Sequence, residues 1–115
     1  MGNPVVHFEV HGQHGGELRT FYADVFGWKI AVVPDDMYAR VDTDAGGAGI
    51  SGGIARSPDG THGVLFYIQV PDIDAHLAQI TAAGGSVVTP RTDSVIVVTA
   101  VAADPEGNMI GLVEG

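Results

Sequence analysis

The chain contains no cysteine in its 115 residues. Disulfides, thiolate nucleophiles and thiolate metal sites are therefore excluded. Cations are scarce, with 5 Lys and Arg against 14 Asp and Glu, a net charge of −9. Such a balance repels phosphate backbones and anionic lipid, so neither nucleic acid nor a membrane surface is an expected partner. No run approaches the ~18 consecutive apolar residues of a membrane span. The N-terminus carries no basic segment ahead of an apolar stretch, and a cytoplasmic protein is expected.

What is present suffices for a core: 45% of residues are hydrophobic and 17% charged. The mean hydropathy is +0.22, which argues against disorder. A chain of this length makes a single domain, residues 1–115. The 17 glycines gather in Gly46 to Gly53 and at element ends, without a period, and read as turns and close backbone approaches.

Val5 to His11 alternates Val6, Phe8 and Val10 with His7, Glu9 and His11, the period-2 signature of a strand with one apolar and one polar face. Glu17 to Phe26 places Leu18, Phe21, Tyr22 and Val25 at helical spacing and stops at Gly27. Strands over Trp28–Val33, Met37–Thr43 and Ile50–Ala55 follow, with Pro34-Asp35-Asp36 as a turn. The order then restarts. Val64 to Val70 is a strand, and Asp72 or Asp74 can cap a helix carrying Ile73, Leu77 and Ile80 that ends at Gly84-Gly85. Ser86–Thr89, Val95–Ala103 and Asn108–Val113 read as three more strands.

An offset of 58 residues superposes the halves: strand on strand, Gly27 on Gly85, Gly53 on Gly111. The fold class expected is α+β, two βαβββ repeats over residues 1–57 and 58–115 whose curved mixed sheet surrounds a cleft.

Val6-His7-Phe8, Phe21-Tyr22-Ala23-Asp24-Val25-Phe26-Gly27-Trp28, Tyr67 to Asp74 and Asp104-Pro105-Glu106-Gly107-Asn108, in that order along the chain, carry a resemblance. The sequence resembles the glyoxalase, bleomycin-resistance and extradiol-dioxygenase proteins, the vicinal oxygen chelate superfamily. The resemblance implies paired βαβββ modules, a homodimer, and in the enzymes a divalent metal held by His, Glu or Gln. The positions it assigns to metal ligands fall here on His7, Leu65, Gly53 and Gly111. Leucine and glycine offer no lone pair, so the usual metal centre is expected to be absent.

His7, Glu9 and His11 remain the sharpest local signal, because i and i+2 side chains on a strand stand only ~7 Å apart. Either this face lines a wet cavity with Glu9 bonded to a histidine, or His-x-Glu-x-His holds a metal ion. His7 and Glu9 are the candidate catalytic pair. His11, Tyr67, Gln69, Trp28, Tyr38 and Met109 are the candidate ligand-binding residues, although residues such as Trp28, Tyr38 and Met109 more often complete a core. His62 reads as a solvated loop residue. The expected function is metal-free binding of a small molecule, antibiotic-like or a metabolite, without a cofactor. The alternatives are a divergent metal-dependent lyase, isomerase or dioxygenase using His7, and an accessory subunit with a vestigial cleft.

Overall fold

The computed structural model describes residues 2–33, 37–44 and 46–115. The turn expected at Pro34-Asp35-Asp36 lies outside the described residues. The elements are β1 (Val5–Gly12), α1 (Gly15–Phe26), β2 (Lys29–Val32), β3 (Tyr38–Asp42), β4 (Gly52–Arg56), β5 (Gly63–Val70), α2 (Ile73–Ala82), β6 (Ser86–Asp93), β7 (Val98–Ala103) and β8 (Met109–Glu114). This is the α+β class with two βαβββ successions. The chain divides into two compact units, His7–Val64 and Met1–Val6 with Leu65–Gly115.

Within the first unit the strand order is β2-β3-β4-β1. β1 runs parallel to β4 with Glu9 opposite Gly53, and β3 runs antiparallel to both β2 and β4. The apolar face of β1 does what its alternation requires. Val10, Val41 and Ile54 are buried, with Phe8, Leu18, Tyr22, Trp28 and Ile30 packed against them. Trp28 stacks on Tyr22 with ring centroids 4.9 Å apart and planes 7° from parallel. The helix that supplies Leu18 and Tyr22 ends at Gly27, whose φ of 71° is a left-handed conformation few side chains tolerate.

The second unit repeats this plan in the order β5-β8-β7-β6. β5 runs parallel to β8 with Tyr67 opposite Gly111, the same register as Glu9 and Gly53 shifted by the 58 residues read from the sequence. Its core is Val70, Ile73, Leu77, Ala100, Ala102 and Leu112. Asp72 caps α2 by accepting from the Ala75 amide at 3.1 Å. Glu114 Oε2 accepts from the Ile73 amide at 3.0 Å, and its other oxygen accepts from Arg91 Nη2 at 3.1 Å. Both bonds hold the Glu114 carboxyl below its ordinary pKa.

Two strands differ most from the sequence reading. β6 continues past Thr89 through Pro90 to Asp93, which is possible because it ends the strand order and needs only one partner. β7 begins at Val98 rather than Val95, because Ser94 and Val97 close a turn in which Ser94 N donates to Val97 O at 3.0 Å.

Candidate ligand site

The polar face of β1 presents His7, Glu9 and His11, and all three are half-buried. Glu9 is the least exposed, its side chain retaining 15% of its accessible surface against 32% for His7 and 29% for His11. A carboxylate so far withdrawn from water needs donors. His11 supplies one, with Nε2 2.9 Å from Glu9 Oε1. Because a carboxylate only accepts, the His11 proton sits on Nε2. Tyr38, carried in from β3, supplies another through a hydrogen bond from its hydroxyl to Glu9. The phenol oxygen also lies 3.1 Å from His7 Nε2, which stands 3.6 Å from Glu9 Oε2. With the phenol proton given to Glu9, its oxygen accepts from His7. The four side chains form one row, His7 to Tyr38 to Glu9 to His11.

Tyr38 keeps its proton far above the ordinary phenol pKa. Burial is the first cause, and the negative charge and hydrogen bond of Glu9 add to it, while Arg40 opposes them. The hydroxyl is thus a neutral donor across the physiological range.

The room for Tyr38 comes from Gly53. A Cβ built on Gly53 would overlap the Tyr38 hydroxyl and the adjoining ring carbon. On the other face of the same strand, a Cβ on Gly52 would overlap the Phe8 ring. The second unit has a counterpart, since a Cβ on Gly111 would overlap the Tyr67 ring. Glycine inside a strand marks close approach of another group, and here that group is an aromatic ring each time.

Of the residues expected at a ligand, the structure brings together His7, Glu9, His11 and Tyr38. Trp28 lies elsewhere, on the helix side of β1 against Phe8 and Tyr22. Tyr67 is 7% exposed and packed over Gly111, and so presents little surface to a ligand. Gln69 is half-buried on β5. Met109 is 49% exposed at the start of β8, in the second unit. Sequence reasoning missed the pairing of Tyr38 with His7, whose only trace was a double glycine in a strand.

A family model, glyoxalase-like domain, matches residues 7–113. The chain belongs to the glyoxalase-like domain family. No curated protein matches it. Among solved structures, this glyoxalase-like chain is similar to a glyoxalase/bleomycin resistance protein/dioxygenase superfamily member from Vibrio splendidus 12B01. The identity is 20%, the TM-score 0.68, and 98% of this chain and 99% of that one are covered. It is also similar to a methylmalonyl-CoA epimerase in complex with methylmalonyl-CoA and ammonium, at 17% identity and TM-score 0.68, covering 100% and 96%. The methylmalonyl-CoA epimerase from Mycobacterium tuberculosis matches at 19% identity and TM-score 0.64, covering 96% and 86%. At these identities the likeness shows the fold.

The resemblance drawn from the sequence implies a metal in the enzymes of this superfamily, and the side chains here can be tested against that need. Leu65 is buried and apolar, and the spaces over Gly53 and Gly111 are filled by tyrosine rings. Among the described residues, no three His, Asp or Glu side chains are arranged to hold an ion. The donor set of the usual centre does not fit. Among the described residues, no helix is long and apolar enough to cross a membrane.

Proposed function

We propose that this glyoxalase-like chain binds an oxygen-bearing organic small molecule on the polar face of β1 without a metal ion, through Tyr38, His7, Glu9 and His11. The observation that carries the reading is the Tyr38 hydroxyl, placed over Gly53 and 3.1 Å from His7 Nε2. A ligand oxygen arriving at this row competes with Glu9 for the Tyr38 proton and with Tyr38 for the His7 Nε2 proton, the two donors this end of the row holds.

The test begins with elemental analysis of untagged protein and calorimetric titration with Ni²⁺, Zn²⁺, Mn²⁺ and Fe²⁺. A thermal-shift screen of small carbonyl and hydroxyl compounds follows, on the wild type and on Tyr38→Phe. The reading expects no saturable metal uptake, and ligand shifts that the substitution reduces. One tightly bound ion per chain, lost on His7→Ala, would overturn it in favour of a metal-dependent lyase, isomerase or dioxygenase.

A second reading, an acid–base enzyme without metal, is favoured by the 2.9 Å contact of Glu9 with His11, a carboxylate orienting an imidazole. Turnover of any screened compound that disappears in Glu9→Gln, with folding intact, would select it over simple binding.

A further inference from the structure

The end of β1 and the start of α1 border an open, shallow cavity of about 420 Å³ lined by His11, Gly12, Gln13, His14, Glu17, Leu18, Phe21 and His62. It lies wholly within the first unit, and of the hydrogen-bonded row only His11 reaches it. Three of its eight lining residues are histidines, brought together from a strand, a helix start and a distant loop. His62 is exposed in the loop before β5, as read from the sequence, and from there it also lines this cavity. Among the described residues, no three His, Asp or Glu side chains are arranged to hold a metal ion.

Three observations fix the chemistry of an occupant. Phe21 is 51% exposed although aromatic, and Leu18 stands beside it in the lining, which gives the cavity a flat apolar wall. The lining contains one carboxylate, Glu17, and neither lysine nor arginine; beside the positive N-terminal end of α1, that carboxylate is the group that gives the site its preference for a cation. A neutral imidazole offers one acceptor nitrogen and one donor, so the histidines can take N–H groups from a ligand's edge. An aromatic face attracts a cation placed over it.

We infer that this cavity binds a planar aromatic cation of the amidine or amine type. Its ring lies against Phe21 and Leu18, its charge toward Glu17, and its N–H edge toward His14 and His62. The site stands independently of the reading proposed for the Tyr38 row.

The probes are benzamidine, its neutral analogue benzamide and its anionic analogue benzoate, titrated into ¹⁵N-labelled full-length protein and followed by amide chemical shifts. Benzamidine should saturably shift amides between Gly12 and Phe21 and around His62, whereas benzoate should not. Phe21→Ala and Glu17→Gln should each weaken benzamidine by about three- to tenfold, and both variants should keep the wild-type dispersion of distant amides. Absence of saturable shifts, shifts centred elsewhere, or affinities unchanged in both variants would overturn the assignment. Equal binding of benzoate or benzamide would overturn the preference for a cation. If Phe21→Ala fails to fold, Glu17→Gln alone decides, since its side chain is exposed at the helix surface.

Discussion

Tyr38 occupies the space that any side chain on Gly53 would need, and from there its hydroxyl reaches His7 Nε2 at 3.1 Å. Sequence position 53 and the phenol of Tyr38 are thus mutually exclusive occupants of one volume, on the strand that lies directly beside Glu9.

That exclusion predicts a strong pairwise coupling. Gly53→Ala should destabilise the fold by about 1–3 kcal/mol, the usual cost of overpacking. In a Tyr38→Ala background the same substitution should cost far less, because the overlapping ring is gone. Urea unfolding of the two single variants and the double variant measures the coupling, and additive costs would show that the ring moves aside freely.

Tyr38 also predicts an alkaline signature. Its folded pKa is raised by burial and by Glu9, above the ~10 of a free phenol. The stability it contributes is therefore fully present below about pH 10 and is lost as pH rises toward the folded pKa. The Tyr38 hydroxyl should ionise late in the ultraviolet phenolate titration, and Tyr38→Phe should remove that late component.

Glu9→Gln should cost about 1–3 kcal/mol, since His11 and Tyr38 lose a charged acceptor in a half-buried place. Thermal unfolding measures it, and a variant as stable as the wild type would mean that water satisfies the two donors equally well.

At acid pH the second unit should respond through Glu114. Its pKa is lowered by Arg91 first and by the Ile73 amide second. A depressed carboxyl contributes stability above its unfolded value of ~4.3, lost as pH falls through the folded value. Glu114→Gln should accordingly flatten the decline in melting temperature below about pH 4, and an unchanged slope would place the acid sensitivity elsewhere.

Trp28→Ala tests the division of β1 into two faces. Its ring stacks on Tyr22 at 4.9 Å, so truncation should cost about 3 kcal/mol, the low end for an aromatic because the ring is half-buried. Ligand affinities should be unchanged; a selective loss of binding would return Trp28 to the ligand site.

The fold was readable because its determinants are local. The alternation from Val6 to His11 placed Glu9 and His11 on one face, where the structure bonds them at 2.9 Å. The stop at Gly27 and the restart after 58 residues gave the repeat, and the strand registers reproduce that offset. The site was only half readable. Tyr38 meets His7 across 31 residues of chain, and nothing in the spacing of either residue encodes that approach. For Trp28 the sequence left core and ligand both open with the core preferred, and the structure stacks its ring on Tyr22. His14 gave no signal and His62 only that of a loop residue, and the cavity they share is assembled from the start of α1 and the loop before β5.

Gly52 and Gly53 leave the middle of β4 as bare backbone, with Phe8 against one side and Tyr38 against the other. Change here has an imposed order. A side chain at position 53 meets the tyrosine first, and as long as the ring keeps its place, residue 38 gives up its bonds to His7 and Glu9 before any new donor is gained. Where the ring holds, each route to a side chain at position 53 passes through an intermediate that has lost the old site without acquiring another.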